Sequence, residues 1–166
     1  PGAVLTNLFL ADELNRATSR TQSALLEAME EGQVTVDGRS YAVPQPFVVI
    51  ATQNPTGAKG TQMLPDSQLD RFMLRLSMGY PSRDNEIEMI RRKQDGLTMA
   101  AVEQIADKSA VMDMRREAES VYIKDVLISY IIDLVSATRS HPMIAQGASP
   151  RASVAVTAMA KATAWI

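Results

Sequence analysis

The chain has 166 residues, enough to bury a core in one domain or in a small domain and part of another. It is 46% apolar and 22% charged, as in an ordinary globular protein. Its 17 basic and 19 acidic residues give a net charge of −2, which argues against nucleic acid or anionic lipid as a bulk electrostatic partner. The lack of cysteine excludes disulfides and thiolate metal sites, and a single histidine, His141, excludes a histidine metal cluster.

No apolar run approaches the roughly 18 residues of a membrane span, and the opening residues do not form a basic and then apolar leader. Neither membrane insertion nor secretion is expected, and a cytoplasmic protein is. Pro1-Gly2-Ala3 runs almost directly into an apolar stretch, so the chain is expected to be a piece of something longer.

The first element is expected at Leu8-Phe9-Leu10-Ala11, a continuous apolar run ending in Asp12-Glu13. That is the pattern of a parallel-sheet strand buried on both faces. Residues 20–31 then place Gln22, Leu25, Leu26 and Met29 at helical spacing, with Ser19 and Gln22 able to form a capping box and Gly32 as a stop. Val34-Thr35-Val36 meets Asp37-Gly38, a two-residue hairpin signal, and the return through Tyr41 to Val43 is closed by Pro44 and Pro46. Phe47-Val48-Val49-Ile50-Ala51 repeats the buried-strand pattern, ends in Thr52-Gln53-Asn54-Pro55, and leads into a polar, glycine-containing loop over 56–65. Phe72, Leu74, Leu76 and Met78 alternate with Met73, Arg75 and Ser77, which predicts a third strand ending before Pro81.

Beyond Pro81 the period is helical. Ser82 can cap a helix holding Ile87 and Ile90, and a second is expected over 99–118 with a break near Lys108. A third over 125–139 carries Leu127, Tyr130, Ile131, Leu134 and Val135 on one face and stops at His141-Pro142. Ser149-Pro150 opens a last helix through Trp165. The fold class is therefore α/β, a parallel-sheet core over 1–80 followed by an all-helical domain over 81–166.

In open α/β sheets ligands bind outside the carboxyl ends of the strands, which puts Asp12, Glu13 and Asn54 on one rim. An apolar run ending in Asp-Glu suits metal-assisted phosphate chemistry: one carboxylate holds Mg²⁺ directly or through water, and the other polarises an attacking water. On spacing alone, a plain role as strand-end and turn residues stands equally well. Arg71 after Asp70 reads on its own as a structural ion pair. Arg151 sits in the first turn of a helix, where the macrodipole disfavours a cation and a phosphate partner would offset that. Arg16 has no assignable role, His141 reads as a helix-end residue, and the ten methionines as fillers of core gaps or subunit contacts.

The combination is more specific than its parts. NLFLADELNRA at 7–17 resembles the Walker B segment of the MoxR family within the AAA+ ATPases, and TQSALLEAMEEGQVTVDG at 21–38 the helix and hairpin that follow it. ATQNP at 51–55 resembles the sensor-1 strand end, LPDSQLDRF at 64–72 the arginine-finger region, and GASPRA at 147–152 the start of the sensor-2 helix. The five motifs occur in order over nearly the whole chain. The resemblance implies a partial AAA+ core of the P-loop NTPase type, from the Walker B strand onward, with a helical lid, and ATP and Mg²⁺ as cofactors. It implies Asp12 as the Mg²⁺ residue, Glu13 as the general base, Asn54 as the sensor of the terminal phosphate, Arg71 as the arginine finger acting on a neighbouring subunit, and Arg151 as the sensor-2 arginine. It also implies a ring, with a hexamer expected, and a client protein remodelled or loaded with cofactor, a von Willebrand factor A-type domain among the partners the family points to. A magnesium-chelatase-like ATPase subunit is one alternative, and a non-catalytic interaction module using the helices and the 34–43 hairpin is another. The hairpin itself fits a plain ribbon or a partner-contact element.

The phosphate-cradling sequence GxxxxGK followed by Ser or Thr is absent, and Gly57-Ala58-Lys59-Gly60 lacks its spacing. In the family that loop lies upstream, on a strand between the sensor-1 strand and the one expected at Phe72 to Met78. Exposed strand edges, and negligible ATP hydrolysis by this chain alone, are therefore expected.

Overall fold

The computed structural model describes residues 2–54, 63–96 and 103–166. In chain order the elements are β1 (Leu8–Ala11), α1 (Ser19–Glu31), β2 (Gln33–Val36), β3 (Arg39–Ala42), β4 (Val48–Ala51), α2 (Asp66–Leu69), α3 (Arg83–Gln94), α4 (Lys108–Ser120), α5 (Asp125–Ser140) and α6 (Pro150–Trp165). Most of the loop expected over 56–65, and the start of the helix expected at 99, lie outside the described residues. The chain forms two compact units, one made of Pro1–Met73 with Lys108–Ile166, the other of Leu74–Asp107.

In the first unit β1 and β4 pair in parallel, with Leu8 opposite Val48 and Ala11 opposite Ala51. Both strands therefore end at the same level, which fixes everything that follows at the rim. One face of the pair, through Phe9, Ala11, Val49 and Ala51, packs on a core of Leu14, Leu25 and Leu64 joined by Met29, Leu69 and Phe72. The other face stays open: Leu8, Leu10, Val48 and Ile50 are 61%, 64%, 46% and 51% exposed. The expectation of strands covered on both sides is corrected accordingly, because among the described residues a helix is packed on one face only.

Helix α1 begins one residue earlier than its period indicates. Thr18, not Ser19, is the cap, its hydroxyl accepting from the Thr21 amide at 3.3 Å. Gln22 is not part of a capping box: it is buried, and its Nε2 donates to the Leu14 and Ala17 carbonyls, both at 3.2 Å. The helix stops at Gly32, which is left-handed at φ 63° and gives its amide to Ala28. The hairpin follows in the register read from Asp37-Gly38, with Val36 opposite Arg39 and both turn residues at positive φ, as a type I′ turn requires.

The third strand is not formed. Residues 71–73 turn after α2, and Leu74 to Tyr80 run without a strand partner, their large apolar side chains exposed. Alternation makes a strand only where a neighbouring ladder receives its amides and a sheet face receives its side chains; the described residues provide neither there. In the second unit, α3 is capped by Ser82, whose hydroxyl accepts from the Asn85 amide at 3.3 Å, and it buries none of its residues.

Helix α6 packs on both α4 and α5. Ser149 caps it and Pro150 opens it, as read from the sequence. On α5, Ile131 and Val135 are buried, whereas Leu127, Tyr130 and Leu134 of the same expected face remain exposed. The connection from α5 to α6 is tied by Arg139 Nε donating to the Ala148 carbonyl and the Ala148 amide donating to the Thr138 hydroxyl, each at 2.9 Å.

Candidate functional site

The parallel register delivers Asp12 and Thr52 side by side, one residue past the paired strand ends. The Thr52 hydroxyl donates to Asp12 Oδ1 at 2.5 Å and accepts the Glu13 amide at 2.8 Å. The Thr52 carbonyl accepts the Leu14 amide, and the Thr52 amide donates to the Ala11 carbonyl, so the chain after β1 is laced to the chain after β4. One step further, the buried side chain of Asn15 clasps the backbone of Asn54: Nδ2 donates to its carbonyl at 3.2 Å and Oδ1 accepts its amide at 3.4 Å. Asp12, Glu13 and Asn54 are thus held on one ledge at the carboxyl ends of the strands.

Glu13 occupies the left-handed region at φ 48°, ψ 47°, an uncommon conformation for a residue with a Cβ and one that recurs where side chains are aimed for a purpose. It precedes a 3-10 turn over Leu14–Arg16. Its Oε2 takes Arg16 Nη1 at 2.8 Å, an exposed pair that contributes little and leaves Oε1 as an acceptor.

A second cluster gathers Arg71 and Arg151. Both bind Glu30, near the end of α1: Arg71 Nη1 lies 2.7 Å from Oε2 and Arg151 Nη2 2.5 Å from Oε1. Arg151 Nη1 is 3.6 Å from Asp70 Oδ2, and the Ser149 hydroxyl donates to Asp70 Oδ1 at 2.7 Å. Glu30 and Arg71 share a cavity of about 950 Å³ with Met29, Phe47, Val48 and Phe72 and with residues of α4, α5 and α6. Phe47 and Val48 are where β4 begins, so this cluster lies toward the amino ends of the strands, away from the ledge. Helix α1 connects the two: its first residues follow the ledge, its last turn carries Glu30, and 13 residues at ~1.5 Å of rise make it roughly 20 Å long.

Comparison with known proteins finds relatives over the whole chain. A family model described as "ATPase family associated with various cellular activities (AAA)" matches residues 1–74. YeaC of Bacillus subtilis is 44% identical over 166 residues, all of this chain and 52% of its own length. Chaperone MoxR1 of Mycobacterium tuberculosis is 38% identical over 99% of this chain and 46% of its own length. A crystal structure from Cytophaga hutchinsonii, named provisionally as an ATPase, superposes with a TM-score of 0.90 at 40% identity, over 99% of this chain and 52% of the other. The chain belongs to the MoxR family of AAA+ ATPases. It spans about half the length of the MoxR relatives it matches. Its strands and helices are those of a partial AAA+ core with a helical part.

Three residues that hold these two clusters together have no role among those the motifs imply. Thr52 and Asn15 gave no sequence signal beyond lying beside acidic and amide residues. Glu30 did give one: a carboxylate in the last turn of a helix faces the unfavourable end of the macrodipole, just as Arg151 does in the first turn of α6. Two misplaced charges of opposite sign invite a search for each other. Among the described residues no helix is long and apolar enough to cross a membrane, and no group of three or more acidic or histidine side chains is gathered to hold a metal.

Proposed function

We propose that this chain carries two complementary half-sites of an ATP-hydrolysing, chaperone-like AAA+ motor. The ledge serves the nucleotide of its own subunit, and the arginine cluster serves the nucleotide of a neighbour. The observation that carries this reading is the separation of the two clusters along α1, with every acidic and amide candidate at one end and both arginines at the other.

The ledge fits a Mg²⁺-nucleotide in its donor set. Asp12 has one oxygen engaged by Thr52 and keeps acceptor capacity for a hard cation or its water shell. Bound Mg²⁺ supplies charge neutralisation on the phosphates. Glu13 takes the proton of the attacking water as its oxygen bonds to the terminal phosphorus and the bond to the leaving diphosphate oxygen breaks. Asn54, fixed through its backbone by Asn15, offers a neutral amide to the water or the terminal phosphate. Arg71 stabilises the charge that develops on the transferred group, the role for which an arginine supplied across an interface raises phosphoryl transfer by orders of magnitude. Arg151, held on the same carboxylate as Arg71, goes with it and couples the helical part to the same phosphate. Turnover then depends on assembly, consistent with a ring whose work is remodelling or cofactor insertion in a client protein.

The test uses a polypeptide of the relatives' length. Glu13→Gln should abolish turnover while ATP still binds, and Arg71→Ala should abolish turnover separately. Mixing the two inactive variants in equal amounts should restore activity to about a quarter of the unmodified level, the share of random junctions that pair an intact base with an intact arginine. No recovery at any mixing ratio removes the shared-site reading, and unchanged turnover in Glu13→Gln removes Glu13 as the base.

A further inference from the structure

We propose that Glu30 is a resident surrogate for phosphate: in the absence of nucleotide its carboxylate holds Arg71 and Arg151 together, and an incoming phosphate must displace it. Four observations converge on this role, which rests on the reading above that the two arginines serve a nucleotide.

First, the two carboxylate oxygens are divided between two guanidinium groups, at 2.7 and 2.5 Å, so that a single anion bridges side chains 80 residues apart in sequence. Two guanidinium groups brought this close repel unless an anion lies between them, and a phosphoryl group, with several oxygens on one centre, offers the same bridging geometry with more charge. Second, Glu30 and Arg151 each sit at the wrong end of a helix for their charge, so each gains from the other what its own helix withholds. Third, Asp70 completes the cluster, and two acids against two arginines leave no net charge to recruit an oxyanion. Binding phosphate therefore requires Glu30 to yield. Fourth, Arg71 Nε is buried and has no partner among the described residues, so Glu30 does not saturate this guanidinium. That donor has no accessible surface while Glu30 is in place, so it becomes available to a phosphate only when the fork turns away from Glu30.

The side chains of Glu30, Arg71 and Arg151 are 35%, 31% and 54% exposed, so the bridge is reachable and exchangeable, not locked. Glu30 is thus a positioning residue. It keeps two flexible arginines preassembled and sets the threshold that an anion must exceed to engage them.

Inorganic pyrophosphate binding to the 166-residue chain tests this, with affinity from calorimetry and the arginine Nε–Hε resonances of Arg71 and Arg151 as the local readout. Glu30→Gln should bind pyrophosphate at least about tenfold more tightly than the unmodified chain, and Glu30→Asp, too short to bridge both guanidiniums, should fall between. In both variants the two arginine resonances should move on binding, and Arg71→Ala with Arg151→Ala should remove the binding. Loss of the charge alone tightens binding in Glu30→Gln but not in Glu30→Asp, which keeps the charge and loses the bridge, so tighter binding confined to Glu30→Gln also overturns the role of Glu30. If Glu30→Gln does not fold, Glu30→Asp decides. Equal or weaker binding in both variants, with binding still lost on removing the arginines, overturns the role of Glu30 and leaves the arginine assignment standing. Binding that is indifferent to the arginines overturns both.

Discussion

The Thr52 hydroxyl donates to Asp12 Oδ1 and accepts from the Glu13 amide, so a single side chain sets the orientation of one carboxylate and the backbone turn that aims the other. Groups that orient a metal-binding or catalytic carboxylate commonly cost 10–100-fold in activity when removed. In a polypeptide of the relatives' length, Thr52→Val should lower turnover by roughly tenfold with a smaller change in ATP affinity, and Thr52→Ser should retain most of the rate. Steady-state phosphate release measured over a range of ATP concentrations separates the two parameters; a change confined to affinity would contradict the orienting role. Asn15 acts alike on Asn54, but through the backbone, and a clasp on backbone groups leaves no pattern in the sequence.

Among the elements, the α5–α6 connection is the most exacting. A Cβ built on Gly147 would lie 2.5 Å from the Cα of Arg139, closer than atoms can approach, so the last turn of α5 can pack against this loop only where a hydrogen stands in place of a methyl group. Gly147→Ala should therefore destabilise the chain by about 1–3 kcal/mol, visible as a lowered Tm, and should loosen the loop that seats Ser149 against Asp70. An unchanged melting curve would show that the loop shifts at no cost. Elements defined by local chemistry were legible in the sequence: the Ser82 and Ser149 caps, the Asp37-Gly38 turn and the Gly32 stop all formed as read. Elements defined by distant partners were not. The alternation from Phe72 to Met78 is genuine, yet it produces no strand without a ladder beside it, and Gln22 has the spacing of a capping-box residue but spends its amide on carbonyls brought near by the preceding turn.

For the whole molecule, the strand ends at Asp12 and Asn54 were legible because a parallel pair in register delivers both tails to one level. The second cluster was half legible: each arginine stood out singly, but their meeting on Glu30 depends on α2, α1 and α6 converging, which no local pattern encodes. The open sheet face and the missing phosphate-cradling sequence lead to one expectation for the isolated chain: phosphate release from ATP at the level of buffer, unaltered by Glu13→Gln. Turnover by scrupulously purified chain, lost in that variant, would contradict it.

The length of α1 carries a consequence for symmetry. On the reading proposed above, molecules with carboxylates and arginines at opposite ends of one helix can join unlike ends in two ways, as an antiparallel two-fold pair or as a head-to-tail row. The pair is complete at two copies, with each ledge facing the other copy's arginines, whereas an open row keeps an idle ledge at one end until it closes.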